Sequence, residues 1–220
     1  MISVILTDIE GTTTDIAFVH DVLFPLSRRA MPAYVAEHWD SEDVRQAREA
    51  TRQSSPEALT AQLVAWIDAD RKESTLKAIQ GKIWRTAFES GQVKSHVYPD
   101  VPPAFERWKA NGTRIAIFSS GSVEAQELLF RHSDHGDLTP FLSAYFDTTT
   151  GPKRESRSYT AIADALGVPR TAVAFLSDVV AELDAARAAG MSTWQLLRPG
   201  IADDPASPHP KVGTFDALGF

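Results

Sequence analysis

The sequence contains no cysteine, which rules out a disulfide framework, a thiolate nucleophile and cysteine-based metal sites. It also lacks any long apolar run. The longest, such as Val4-Ile5-Leu6 and Ile115-Ala116-Ile117-Phe118, have the length of a strand, far short of the ~20 residues that cross a membrane. Met1-Ile2-Ser3-Val4 does not open a basic segment followed by a long apolar one, so no secretory signal is expected. Positive charge is in short supply as well. Lys and Arg number 22 against 29 Asp and Glu, a formal net charge of −7, so the chain offers no basic field to nucleic acid or to an anionic membrane. There is no internal repeat and no low-complexity tract. These absences leave a cytoplasmic protein with a small-molecule partner as the expectation.

What is present is enough for a packed core. The chain has 220 residues, 43% of them hydrophobic, which suits one full domain or a core domain with a small accessory one. Val4-Ile5-Leu6 reads as a buried strand, and so do Ile115 to Phe118, Ala144 to Phe146, Ala172 to Leu176 and Thr193 to Leu197. Segments of helical periodicity separate them at 103–110, 123–130, 158–166 and 179–189, and Asn111-Gly112, Gly167 and Gly190 supply stop signals. This alternation predicts α/β architecture: a doubly wound parallel sheet with helices on both faces, and ligands at the C-terminal ends of its strands.

The stretch 16–94 breaks the alternation. It holds no convincing strand. Ser55-Pro56-Glu57 is a helix start, and Leu59, Leu63, Trp66 and Ile67 recur at helical spacing behind it. A second helical stretch carries Leu76, Ile79, Ile83, Trp84, Ala87 and Phe88 and ends near Gly91. The expected organisation is therefore an α/β core from 1–15 and 95–220, with a helical insertion at 16–94 directly after the first strand. The tail 199–211, rich in Pro, Asp and Ser, reads as a surface loop.

The chemistry collects where strands end. Asp8 and Glu10 follow the first strand, and carboxylates at i and i+2 leave a strand end on the same side. Unless a cation lies between them or one is protonated, they repel. Gly11 permits a sharp turn that brings backbone N–H groups toward an anion. Ser119-Ser120-Gly121-Ser122 follows the second strand, where hydroxyls and helix-start N–H groups can hold an anion or simply cap the helix. Lys153 lies in the loop after Thr148-Thr149-Thr150-Gly151-Pro152, where a lone Lys is ordinarily solvated. Ser177-Asp178 follows the fourth strand, with Glu182 on the same helix face as Asp178. Each feature alone has an ordinary explanation; capping does not account for all of them in this order.

Together, Asp8/Glu10, Ser119, Lys153 and Asp178/Glu182 resemble the motif set of the haloacid dehalogenase superfamily, in its phosphatase branch. The resemblance covers the whole chain and makes 16–94 the cap inserted after the first motif. Glu10 departs from it, because most members carry Asp there. With Glu10 included, Asp8 to Thr14, Ile16 to Val19, Leu23-Phe24-Pro25, Phe118 to Gln126 and Leu176-Ser177-Asp178 are similar to the enolase-phosphatase (acireductone synthase) family. That resemblance implies a monomeric enzyme of methionine salvage using one Mg²⁺. It would enolise 2,3-diketo-5-methylthiopentyl 1-phosphate and dephosphorylate the enol to the acireductone. It further implies Asp8 as nucleophile, Glu10 as acid and base, and Ser119, Ser120 and Lys153 as phosphate contacts, with Lys153 also catalytic. Asp8, Glu10 and Asp178 would hold the metal, residue 10 through its backbone carbonyl.

A phosphate substrate would be repelled by the overall charge of −7, so a metal ion and a few placed cations must supply the local attraction. The enolisation base is left open between Glu10 and His20, and His20 reads as a surface residue. Phe18 and Phe24 are candidates for an apolar pocket, whereas Trp66 and Trp84 read as core. Rival readings are a phosphatase for another small phosphate ester, a dehalogenase, and a phospho-acceptor receiver-like domain. The acid at position 10 argues against the second, and the Asp after the first strand against the third.

Overall fold

The computed structural model describes the whole chain, residues 1–220. The chain forms two compact units, one of Met1–Ile16 with Ser95–Phe220 and one of Ala17–Lys94. Strand β1 (Val4–Thr7) is followed by helices α1 (Ile16–Phe18), α2 (Phe24–Glu37), α3 (Glu42–Thr51), α4 (Pro56–Asp68) and α5 (Ser74–Glu89). Then come α6 (Val101–Ala110), β2 (Arg114–Phe118), α7 (Val123–Arg131), β3 (Leu142–Phe146), α8 (Ser156–Leu166), β4 (Val173–Ser177), α9 (Val180–Ala188), β5 (Ser192–Leu196) and β6 (Lys211–Val212).

The first unit is built on a parallel sheet of order β3-β2-β1-β4-β5-β6. Alternate side chains of the central strands enter two separate cores, as a pleat requires. Ile5, Ile115, Ile117, Ala174 and Leu176 pack with Phe105 and Trp108 of α6 and Leu129 and Phe130 of α7. Val4, Leu6, Ala116, Phe118, Val173 and Phe175 pack with Tyr159 and Ile162 of α8 and Leu183 and Ala186 of α9. Helices on both faces make the sheet doubly wound. Strand order runs outward from β1 in both directions, through β2 on one side and β4 on the other. The C-terminal end of β1 is thus the switch point at which such sheets bind ligands.

Residues 199–208 form the expected surface loop, mostly exposed and outside helix and strand, but the chain on either side of it returns to the core. Lys211–Val212 adds a sixth strand beside Gln195 and Leu196, and Arg198, His209, Phe215 and Leu218 are buried. His209 is pinned by Thr193 Oγ1 at 2.8 Å and Asp184 Oδ1 at 3.1 Å. A two-residue edge strand after a proline carries too little periodicity to read from sequence.

The second unit is helical. Leu26, Met31, Val35, Val44, Leu59, Leu63, Ile67, Leu76, Ile79 and Ile83 form its core. Ser55 caps α4 as anticipated, its Oγ accepting the Ala58 N–H at 3.2 Å, with Pro56 at the first helical position. Trp66 and Trp84 pack against this core, and the Trp84 indole N–H donates to Ser27 Oγ at 2.7 Å. Helices α2 and α3 were not anticipated; α3 buries only Val44 and Ala47, and α2 carries Pro32 in its interior.

Candidate active site

Asp8 is the residue after β1, and its N–H continues the sheet pairing to the Leu176 carbonyl at 2.9 Å. The side chain is buried. Its Oδ1 accepts the Ile9 N–H at 2.8 Å and the Lys153 Nζ at 2.6 Å, which fixes the rotation of the carboxylate. Lys153 also reaches Glu182 Oε2 at 2.7 Å. It is no solvated loop lysine, being only 7% exposed. Burial disfavours its charge, but the carboxylates of Asp8 and Glu182 outweigh that and hold the ammonium above its ordinary range. Its loop is tied to α8, where the Tyr159 hydroxyl donates to the Lys153 carbonyl at 2.7 Å and Ser158 Oγ to the Pro152 carbonyl at 2.7 Å.

Glu10 lies two residues on, and Ser119 Oγ donates to its Oε2 at 3.2 Å. Ser119 is fully buried at the end of β2, and its Oγ also accepts the Gly121 N–H at 3.1 Å. The two functions open to 119–122 thus separate. Ser122 caps α7 by accepting the Ala125 N–H, while Ser119 faces the acid. Ser120 is exposed beside it. Burial, then the Asp8 charge, push the Glu10 carboxyl above its ordinary range; Lys153 and the Ser119 hydrogen bond pull the other way.

Asp178 follows β4, and its N–H donates to Thr12 Oγ1 at 3.2 Å. The turn at Gly11 is specific to glycine. Its φ is +71°, and a Cβ there would lie 2.4 Å from Asp178 Oδ2. Burial and then Asp8 push the Asp178 carboxyl up to about 6. The same two causes push Glu182 up to about 7, against Lys153 and the hydroxyl of Ser177. Ser177 Oγ is 3.3 Å from both Asp8 Oδ2 and Glu182 Oε2, and its single proton can serve only one at a time.

The site therefore sets the carboxyls of Asp8, Glu10, Asp178 and Glu182 against the one ammonium of Lys153. Asp178 Oδ1 is buried without a hydrogen-bond partner. An oxygen-rich, under-neutralised pocket with an orphaned carboxylate oxygen fits a hard divalent cation. The expected ligand set asks for only two carboxylate side chains, Asp8 and Asp178, with residue 10 contributing its backbone carbonyl, and the Glu10 carboxylate is engaged by Ser119. The side chains suited to a metal are Asp8 and Asp178, with backbone, substrate or water oxygens needed to complete the shell.

The haloacid dehalogenase-like hydrolase model matches residues 2–190. Enolase-phosphatase E1 of Sorangium cellulosum is 58% identical over 97% of this chain and 96% of its own length. Enolase-phosphatase E1 of Pseudomonas aeruginosa is 50% identical over the same shares. The chain belongs to the enolase-phosphatase E1 family of haloacid dehalogenase-like hydrolases. The crystal structure of the UTR4 protein of Saccharomyces cerevisiae superposes with a TM-score of 0.87 at 35% identity, covering 99% of this chain and 100% of that one. The L-2-haloacid dehalogenase of Xanthobacter autotrophicus, at 18% identity and TM-score 0.61, shares the fold.

In this enolase-phosphatase the structure brings together Asp8, Glu10, Ser119, Lys153 and Asp178, with Ser120 adjacent in the β2–α7 loop. It adds residues that sequence reasoning left without a role. Glu182 is the second carboxylate on Lys153, Ser177 is the hydroxyl between two carboxylates, and Tyr159 is the anchor of the lysine loop. Only the spacing of Glu182 from Asp178 carried a signal. The partners of Tyr159 and Ser177 become visible only once the strands are aligned. Phe18 is buried, and Phe24 packs against the core of the helical unit.

Proposed function

We propose that this chain is a Mg²⁺-dependent, monomeric, cytoplasmic enzyme that enolises 2,3-diketo-5-methylthiopentyl 1-phosphate and hydrolyses the enol phosphate through an aspartyl phosphate on Asp8. The observation that carries the proposal is a buried carboxylate at the switch point, fixed by Lys153, with an up-shifted carboxyl two residues away on a serine hydroxyl. When bound, the ion would neutralise phosphate charge, held by Asp8, Asp178 and the backbone carbonyl of residue 10. Its identity is supported by the oxygen-only donor set; the monomer and its location rest on the family resemblance.

The residues divide the work. In enolisation the Glu10 carboxylate, the nearest base, takes a proton from the carbon bearing the phosphate, and the electron pair of that C–H bond moves toward the adjacent carbonyl oxygen, where the Lys153 ammonium can stabilise charge. An Asp8 oxygen then attacks phosphorus, and the bond from phosphorus to the enol oxygen breaks. Glu10, whose protonated form is favoured by burial and by the Asp8 charge, gives its proton to the departing oxygen. As carboxylate it then takes a proton from water, which attacks the phosphorus of the aspartyl phosphate, freeing phosphate and restoring Asp8. Ser119 and Ser120 donate to phosphate oxygens, and Lys153 neutralises them. The helical unit, 17–94, supplies selectivity for the methylthio end.

The test is incubation with the diketone phosphate, following enediol absorbance and free phosphate together. Both should rise in proportion with Mg²⁺ and stop on chelation. Phosphate release from other small esters with none from the diketone phosphate would refute the substrate and leave a general phosphatase.

A further inference from the structure

We propose that Arg198 is a positioning residue for this reaction, its guanidinium aiming the loop that carries Glu10. The inference rests on the phosphatase reading above. Arg198 follows β5 and its side chain is 2% exposed. Its Nε donates to the Thr12 carbonyl at 2.8 Å. Its Nη1 lies 2.8 and 2.9 Å from the two oxygens of Asp100, and 3.2 Å from the Gly213 carbonyl. The rings of Tyr98 and Phe215 lie 4.4 and 4.9 Å from its Cζ. Asp100 Oδ2 also accepts the Phe215 N–H at 2.7 Å, and the Tyr98 N–H donates to the Thr13 carbonyl at 2.9 Å.

Thr12 is two residues beyond Glu10 and is held from both ends. Arg198 takes its carbonyl, and its hydroxyl accepts the Asp178 N–H. Movement of Thr12 must move Glu10 through Gly11, whose backbone lies against the Asp178 carboxylate. Stability alone does not account for this design. Burying an ion pair costs as much desolvation as the pairing returns, and here Nη2 is buried with no partner, itself an unfavourable state. What a guanidinium supplies is direction: a rigid planar fork that fixes the Thr12 carbonyl relative to Asp100. A lysine can keep the charge beside Asp100 but cannot make both contacts from one plane.

The leaving-group dependence of kcat/KM tests this, because that parameter covers steps only through phosphoryl transfer from the substrate. Two probes suffice: an alkyl phosphate, whose leaving oxygen needs a proton, and a nitrophenyl phosphate, whose leaving oxygen does not. Wild-type enzyme that releases phosphate from neither probe nor from the diketone phosphate would refute the phosphatase reading rather than this inference. In R198K, kcat/KM on the alkyl phosphate should fall about tenfold more than on the aryl phosphate, a fraction of what general acid catalysis is worth. In the Glu10→Gln background, R198K should add no further discrimination, because the two changes act on one proton transfer. A defect in folding alone would lower both substrates equally. Equal losses, unchanged rates or full additivity with Glu10→Gln would overturn the proposal. If R198K does not fold, Asp100→Asn, which loosens the same guanidinium, is read by the same criterion.

Discussion

Asp8 has two strong donors on Oδ1 and a neighbour, Glu10, whose pKa is raised. In Asp8→Asn the shape is kept but the nucleophile becomes a neutral amide. Phosphate release is expected to fall by several orders of magnitude. Solvent deuterium should still enter the carbon beside the carbonyl at saturating Mg²⁺, since enolisation needs no phosphorus nucleophile. Equal loss of exchange and release, measured by NMR and phosphate assay, would make Asp8 part of enolisation as well. Gly11→Ala must place a methyl group in an Asp178 oxygen at a φ of +71°. It is expected to cost on the order of 1–3 kcal/mol and to weaken metal binding, measured by calorimetry; wild-type affinity would show that the turn adapts. At this scale the sequence was informative wherever a motif places a side chain directly: Asp8, Glu10, Ser119, Lys153 and Asp178. It was silent where a role depends on distant partners. Nothing in the local sequence marks Tyr159 or Arg198, whose partners, the Lys153 carbonyl for one and Thr12 and Asp100 for the other, are brought beside them only by the fold.

Among the elements, β1, β2 and β4 were legible because both faces are covered, so an uninterrupted apolar run survives in the sequence. The first strand shows it, with Val4, Ile5 and Leu6 all fully buried. β6 and α3 were not legible for the opposite reason. One is two residues long and half-buried, and the other is mostly charged and turns only a narrow stripe inward. Helix α4 was read from its cap and from Leu59, Leu63 and Ile67, all buried in the helical unit. Leu63→Ala should therefore destabilise the protein by roughly 2–5 kcal/mol, the cost of a buried cavity, seen as a shift in denaturation midpoint. A loss under about 0.5 kcal/mol would mean that Leu63 does not anchor this unit. Tyr159→Phe tests α8 differently. Its ring keeps its edge contacts with Phe118 and Phe175, but the lysine loop loses one of its two ties to α8, the one at Lys153 itself. About 0.5–1.5 kcal/mol of stability should go, with a fall in kcat larger than any change in thermal midpoint would explain. Unchanged kcat would show that Lys153 needs no such anchor.

For the molecule as a whole, a net charge of −7 and a site with more carboxyls than cations make the bound metal a stabilising ligand as well as a chemical one. Mg²⁺ at 100 times its dissociation constant should raise folding stability by about 2.7 kcal/mol, read as a higher thermal midpoint that chelation reverses. Asp178→Asn should abolish most of that increment while leaving the chelated protein no less stable, because a buried carboxyl lacking a partner on Oδ1 has been replaced by a neutral amide. An undiminished Mg²⁺ increment in that variant would remove Asp178 from the ligand set. The covalent step is what would set Asp8 apart from the other carboxylates of the site. Rapid acid quench during turnover, followed by borohydride reduction, converts an aspartyl phosphate to homoserine, and peptide mass spectrometry locates it. Homoserine is expected at position 8, only with substrate present, and none in Asp8→Asn. Turnover with no modification at position 8, or with modification at another carboxylate, would contradict it.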